Sequence, residues 1–91
     1  MNLLEKTIIE KEELYNVAEE YFYKIDSNEY ENVKFDKIIS KSIAILIDHD
    51  FIPTPCIQIK LELYKGLKVV GSYFLYLDEN KEFVDEFLIV E

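Results

Sequence analysis

The last third of the chain alternates apolar and polar residues, which is the period of a β-strand with one buried face. Its first segment has apolar side chains at Ile57, Ile59, Leu61 and Leu63. The alternation resumes over residues 67–77 and 82–90, and Gly66 and the polar run 78–81 separate the three segments. The pattern predicts a three-stranded antiparallel β-meander.

The register of each hairpin depends on the length of its loop. A three-residue loop over residues 64–66 lets Gly66 take a positive φ, whereas a two-residue loop would mix the two faces of the sheet. We therefore expect the longer loop, which gives the pairs Leu61–Val69 and Glu62–Lys68. An even loop in the second hairpin gives the pairs Leu75–Val84, Gly71–Leu88 and Val69–Val90.

Residues 14–25 have a helical period instead. Apolar side chains recur every three or four residues, at Leu14, Val17, Ala18, Tyr21, Phe22 and Ile25. Thr7 and Glu10 have the spacing of a capping box, which starts the helix at Thr7. Leu4 and Ile8 extend the apolar stripe backward and allow a start near residue 3. Residues 27–32 contain turn formers without apolar period, and we expect a loop there.

Residues 35–51 fit two structures. Apolar side chains have helical spacing at Ile39, Ile43, Leu46 and Ile47, and Asp36 is a candidate N-cap. The β-branched run 43–47 also suits a buried strand. Because the pattern lasts about 12 residues, longer than a typical strand, we favour a second helix. Pro53 and Pro55 then mark an extended entry into the sheet.

These patterns predict an α+β fold in which two N-terminal helices pack on the β-meander, as a single domain over residues 1–91. The sheet face expected to carry the helices holds Ile57, Ile59, Leu61, Leu63, Val69, Tyr73, Leu75, Leu77, Val84, Leu88 and Val90. The opposite face holds Val70, Phe74, Tyr76, Phe83, Phe87 and Ile89. That face is too apolar for open solvent, so a helix covers it or it is a binding patch. The availability of two helices favours a cover.

The charge excludes several classes of partner. The net charge is −9, with 19 acids and 10 basic residues, and every basic residue is a lysine. Net negative charge repels a phosphate backbone and an anionic membrane, so we expect no nucleic-acid and no membrane partner. Residues 10–31 carry eight acids and two lysines, and residues 78–91 carry six acids and one lysine. Either these segments are solvated faces, or they adjoin in space and make one acidic field.

The location of the protein follows from what its sequence does not contain. Neither an apolar run of about 18 residues nor a signal-peptide pattern is visible, and the lone cysteine fits a reducing compartment. We expect a cytoplasmic protein.

Catalytic and metal-binding patterns are also missing. His49 has no second histidine to share a metal, and Cys56 has no visible base with an orienting partner. We expect a surface histidine, a buried structural cysteine, no cofactor, no metal and no enzymatic activity.

The second hairpin is the candidate partner-binding site. It combines acids with aromatic side chains, which is the composition of a desolvated contact facing a basic cleft. The residues that we rank highest are Tyr76, Asp78, Glu79, Phe83 and Asp85. In the predicted register Phe74, Tyr76, Phe83 and Asp85 share one face, and Glu82 and Glu86 point toward the helices.

In size, in acidity and in its hairpin from Gly71–Asp78 to Phe83–Val90, the chain resembles the small immunity proteins of bacterial contact-dependent inhibition and other polymorphic toxin systems. The resemblance implies a non-enzymatic inhibitor whose partner is a basic toxin domain, often a nuclease. It implies no residue roles by position, because it contains no diagnostic motif.

Two other functions fit the same sequence. A phage-encoded inhibitor that mimics nucleic acid would use the same acidity, but the slightly basic residues 33–77 weigh against it. A small-molecule-binding or enzymatic α+β domain would need an apolar pocket with perturbed carboxylates. A homodimer through the second sheet face is also open.

Overall fold

The computed structural model describes residues 2–25 and 34–91 of the chain, and the predicted loop 27–32 lies outside them. Within these residues two helices precede four strands: α1 (Leu3–Ile9), α2 (Lys11–Lys24), β1 (Lys37–Leu46), β2 (Cys56–Lys65), β3 (Lys68–Asp78) and β4 (Phe83–Val90). The strands lie in the order β1-β2-β3-β4, and each pairs antiparallel with its chain neighbour. The α+β class is confirmed, but the sheet has four strands rather than three.

The helical region begins near residue 3, and the predicted capping box is wrong. Asn2 is the N-cap of α1, and its side-chain oxygen accepts a hydrogen bond from the N–H of Glu5 at 2.8 Å. Thr7 lies inside α1, where its hydroxyl donates to the carbonyl of Leu3 at 2.7 Å. Glu10 forms the junction between α1 and α2.

The predicted second helix is a strand, β1. Its alternation is interrupted by a β-bulge, because the pairing with β2 shifts between Ser40 and Ser42. The bulge puts Ile38 and Ile43 in contact with the same core although they are five positions apart. The residues that suggested a helical stripe do not share a face: Ile43 packs on the helix side of the sheet, Leu46 packs on the other side, and Ile47 is exposed.

The first hairpin has a two-residue turn, so the predicted register is wrong. Lys65 pairs with Lys68, and Gly66 takes the first turn position with φ +62°, as in a type II′ turn. Glu62 pairs with Ser72 instead of Lys68. The faces are not mixed, because a bulge at Val70 restores the alternation beyond the turn.

The second hairpin is also shifted from the predicted register. The observed pairs include Gly71–Val90, Tyr73–Leu88, Leu75–Glu86, Tyr76–Asp85 and Leu77–Phe83. The pairing shifts between Tyr76 and Leu77, which leaves Val84 as the extra residue. Phe83 consequently lies on the opposite face from the one predicted.

The helices pack on one face of the sheet, which we call the helix face. Leu14, Ala18 and Phe22 of α2 are buried there, as the helical stripe predicted. They meet the buried side chains Ile57, Ile59, Leu61, Leu63, Tyr73, Leu75 and Leu77. The predicted core differs at three places: Val70 packs there rather than Val69, Val84 packs on the other side, and Val90 is half exposed.

Candidate functional site

Carboxylates predominate at one end of the sheet and lysines at the other. The loop 47–55 and the turn 79–82 lie at one end, because β1 ends where β4 begins. This acidic end carries the exposed side chains of Asp48, Asp50, Glu79 and Glu82, together with Asp78. The other end, the lysine end, carries the exposed side chains of Lys34, Lys37, Lys65 and Lys68, together with the two carboxylates of Asp36 and Glu91.

The N-cap and the last turn of α2 both contact the second hairpin. Lys81 forms an ion pair with Glu10, and the ring of Tyr21 stacks on that of Phe83 with centroids 5.3 Å apart. The described part of the first acidic segment, residues 10–25, therefore adjoins the start of the second at residues 81–83. A hydrogen bond from Lys81 to Glu10, with nearby Glu13, raises the pKa of Lys81. Lys81 is thus paired with Glu10, and among the described residues no lysine forms an ion pair with Asp48, Asp50, Glu79 or Glu82.

Asp78 organises the turn of this hairpin. Its side-chain oxygen accepts hydrogen bonds from the N–H groups of Asn80 at 2.8 Å and Glu82 at 2.9 Å. Lys81 takes a left-handed φ of 65° in the same turn. Asp78 therefore positions the exposed carboxylates of Glu79 and Glu82.

Three of the five predicted site residues lie apart from the turn. Tyr76 is only 7% exposed, and its hydroxyl accepts a hydrogen bond from Gln58 at 2.8 Å. Asp85 lies opposite Tyr76, and its carboxylate accepts a hydrogen bond from the N–H of Glu86 at 2.8 Å. Phe83 is on the helix face against Tyr21. The five residues do not form one patch; Asp78 and Glu79 belong to the acidic end.

The sheet face opposite the helices, which we call the open face, has no helical cover within the described residues, so the favoured prediction of a cover is wrong. Ile52 of loop 47–55 packs on Cys56 and Tyr76 at one end. In the middle, Glu62 is nearly buried beneath Lys41 and Lys60, whose amines lie 3.7 and 3.8 Å from its carboxylate. Long side chains of the face itself therefore shield much of it.

His49 anchors the loop that carries Ile52. Its Nδ1 accepts hydrogen bonds from the N–H groups of Phe51 at 3.0 Å and Ile52 at 3.1 Å. The histidine ring therefore has a structural role, as the hydrogen-bond acceptor for two backbone donors. Burial raises the pKa of the Cys56 thiol, which lies beneath this loop.

An open apolar groove of about 590 Å³ lies between the helices and β1. It is lined by Leu4, Thr7, Ile8, Lys11, Tyr15, Ile43 and Ile45. Burial raises the pKa of Tyr15 in its wall. The sequence did not reveal this groove, because β1 was expected to be a helix.

Sequence reasoning also missed the polar contact between β3 and β4 on the helix face. The hydroxyl of the buried Tyr73 donates to the carboxylate of Glu86 at 2.6 Å. The predicted orientation of Glu86 toward the helices was the available signal, and it is confirmed by this contact.

Among residues 2–25 and 34–91, no group of three or more His, Cys, Asp or Glu side chains is arranged to hold a metal ion. No helix in that part of the chain is long and apolar enough to cross a membrane. The chain matches no protein-family model, no curated protein and no solved structure.

Proposed function

We propose that this protein binds a basic protein partner through its acidic end and neutralises it, as an immunity protein does with a bacterial toxin such as a nuclease. The observation that carries the proposal is the gathering of four exposed carboxylates at one end of the sheet, those of Asp48, Asp50, Glu79 and Glu82. Glu79 and Glu82 project there from a turn that Asp78 holds in shape. We place this interaction in the cytoplasm, where a free thiol such as Cys56 stays reduced.

Electrostatics explains how such a surface would act. An acidic field attracts a basic cleft over distances of about 10 Å at 0.1 M salt and speeds the encounter. Carboxylates that reach the desolvated part of the contact slow the release of the partner. A nucleic-acid mimic fits less well, because the lysine end would repel the basic surface that normally binds phosphate.

The test compares two double charge reversals. Glu79→Lys with Glu82→Lys alters the acidic end, and the matched control is Glu5→Lys with Glu20→Lys. Glu5 and Glu20 are exposed on α1 and α2, and neither belongs to the acidic end. Both pairs change the net charge of −9 by the same amount. Circular dichroism checks that both variants fold.

Each protein is used to capture partners from native lysate, which are identified by mass spectrometry and then titrated in purified form. We expect one basic protein to be retained by the native chain and by the control, and lost with the acidic-end variant. Its affinity should fall about tenfold or more as salt rises from about 0.05 to about 0.5 M. Equal retention by the two variants would overturn the proposal.

The groove beside β1 favours a second candidate, the binding of a small apolar molecule. Its volume of about 590 Å³ lies in the usual range for ligand pockets. Titration with the dye anilinonaphthalene sulfonate would test it, with Ile43→Glu as the variant that should abolish the fluorescence gain. An unchanged gain in that variant would exclude the groove as a binding site.

A further inference from the structure

β4 forms an edge of the sheet, and its outer backbone has no neighbouring strand among the described residues. The N–H of Glu91 points toward β3, since it donates to the carbonyl of Val70 at 3.1 Å. Backbone N–H groups alternate in direction along a strand, so those of Leu88 and Val90 point away from β3. These outward groups can pair with an added strand.

The same alternation turns the N–H of Glu86 outward, but that group is already bonded. The carboxylate of Asp85 accepts it at 2.8 Å. The edge is therefore closed at Glu86 and open at Leu88 and Val90. An added strand would align with the end of β4 nearest the lysine end.

The side chains along this edge are apolar and exposed on both faces. Phe87 and Ile89 on the open face are 46% and 53% exposed, and Val90 on the helix face is 52% exposed. A neighbouring strand would bury part of each, because cross-strand neighbours on one face lie about 5 Å apart.

Charge selects the occupant of the edge. Residues 82–91 contain four acids and no lysine, so a second copy of β4 would place acids against acids. The edge of β1 carries Lys37 and Lys41 and has a bulge near its middle. β4 suits a basic strand, and β1 does not.

We propose that the outer edge of β4 receives a β-strand of the basic partner, in which lysine or arginine alternates with apolar residues. The inference rests on the proposed function and specifies how that partner is held. Backbone bonds to Leu88 and Val90 would fix the strand, Asp85 and Glu91, which share the open face, would face its cations, and the acidic end would steer its approach.

The probe is an octapeptide of alternating lysine and valine, N-methylated along one edge so that it cannot stack on itself. The protein variants are Val90→Pro and Val90→Thr. Proline removes the outward N–H of Val90, which makes no bond to β3, whereas threonine keeps it. Both variants lose the valine side chain, and circular dichroism verifies their fold.

We expect the peptide to slow amide exchange at Leu88 in the native protein and in Val90→Thr. The affinity for the peptide should be about tenfold lower in Val90→Pro than in Val90→Thr, because proline removes one backbone hydrogen bond. A peptide with glutamate in place of lysine should not bind.

Three results would overturn strand addition. The first is equal affinity of Val90→Pro and Val90→Thr for the peptide, with NMR chemical-shift changes confined to Glu79 and Glu82. That result would still be consistent with recognition by the acidic end. Equal binding of the glutamate peptide would refute the charge selection. No binding of the lysine peptide would refute the edge site, while the capture experiment decides the proposed function separately.

Discussion

Replacement of Tyr73 by phenylalanine removes one oxygen from the centre of the molecule. The Tyr73 side chain is fully buried, its ring lies edge-on to Phe22 at 5.5 Å, and its hydroxyl donates to Glu86 at 2.6 Å. Phenylalanine keeps the ring contacts. The substitution therefore isolates the contribution of one hydrogen bond between β3 and β4.

The expected decrease in the free energy of unfolding at neutral pH follows from the removal of that hydrogen bond. A hydrogen bond to a charged group contributes about 1.5–3 kcal/mol, and Glu86 is half-buried, so the lower end of this range applies. We expect the free energy of unfolding to fall by about 1.5 kcal/mol. For a domain of this size that corresponds to a drop in Tm of about 6–12 °C.

The loss should also depend on pH. Burial, and then the hydrogen bond and negative charge of Glu86, raise the pKa of Tyr73 far above its ordinary value. In the unfolded chain the Tyr73 hydroxyl loses its proton at about pH 10, whereas in the folded chain it keeps the proton. The stability due to Tyr73 is therefore complete below about pH 10, and it falls by about 1.4 kcal/mol per pH unit above it.

Phenylalanine has no proton to lose, so the two proteins should converge. The difference in unfolding free energy should vanish about one pH unit above 10. Urea titrations followed by circular dichroism at pH 7, 10 and 11 measure it, with Tyr23→Phe on the exposed side of α2 as the control. A loss below about 0.5 kcal/mol at pH 7, or one that stays constant to pH 11, would refute the reasoning.

Three further predictions concern other parts of the fold. Gly66→Ala should lower the unfolding free energy by about 1–2 kcal/mol, through its φ of +62° alone, since no atom lies within 4 Å of the added Cβ; a neutral effect in urea titration would contradict the turn geometry. Leu14→Ala should lower the unfolding free energy by about 2–5 kcal/mol in the same titration, and a decrease below about 1 kcal/mol would contradict the burial of α2. The Cys56 thiol should resist iodoacetamide at pH 8 until urea unfolds the chain, because burial raises its pKa and hides its sulfur; rapid labelling of the native protein would show that loop 47–55 does not cover it.

Continuous periodicity made α2 and the last three strands predictable. Leu14, Ala18 and Phe22 repeat without interruption, and each is buried as expected. Gly66 marked the first turn correctly, because its positive φ is a local requirement. Local signals of this kind do not depend on the rest of the fold.

Bulges explain what could not be predicted. Each bulge inserts one residue, and every pairing beyond it shifts, but no residue type announces its position. The bulge between Ser40 and Ser42 interrupts the alternation by which β1 could have been recognised as a strand, and the shift at Val84 moved Phe83 to the helix face. In the candidate site this last shift separated Phe83 from Tyr76 and Asp85, which share a face as predicted.

The order of the strands has a consequence for how the chain folds. Each strand pairs with its neighbour in sequence, so most of the sheet forms through short loops with a small entropic cost of closure. The docking of α2 on β2 and β3 joins elements that are farther apart in the sequence, because β1 lies between them. We expect the β2–β3 hairpin to be formed in the folding transition state and α2 to be largely undocked. Leu14→Ala would then mainly accelerate unfolding, whereas Gly66→Ala would slow folding.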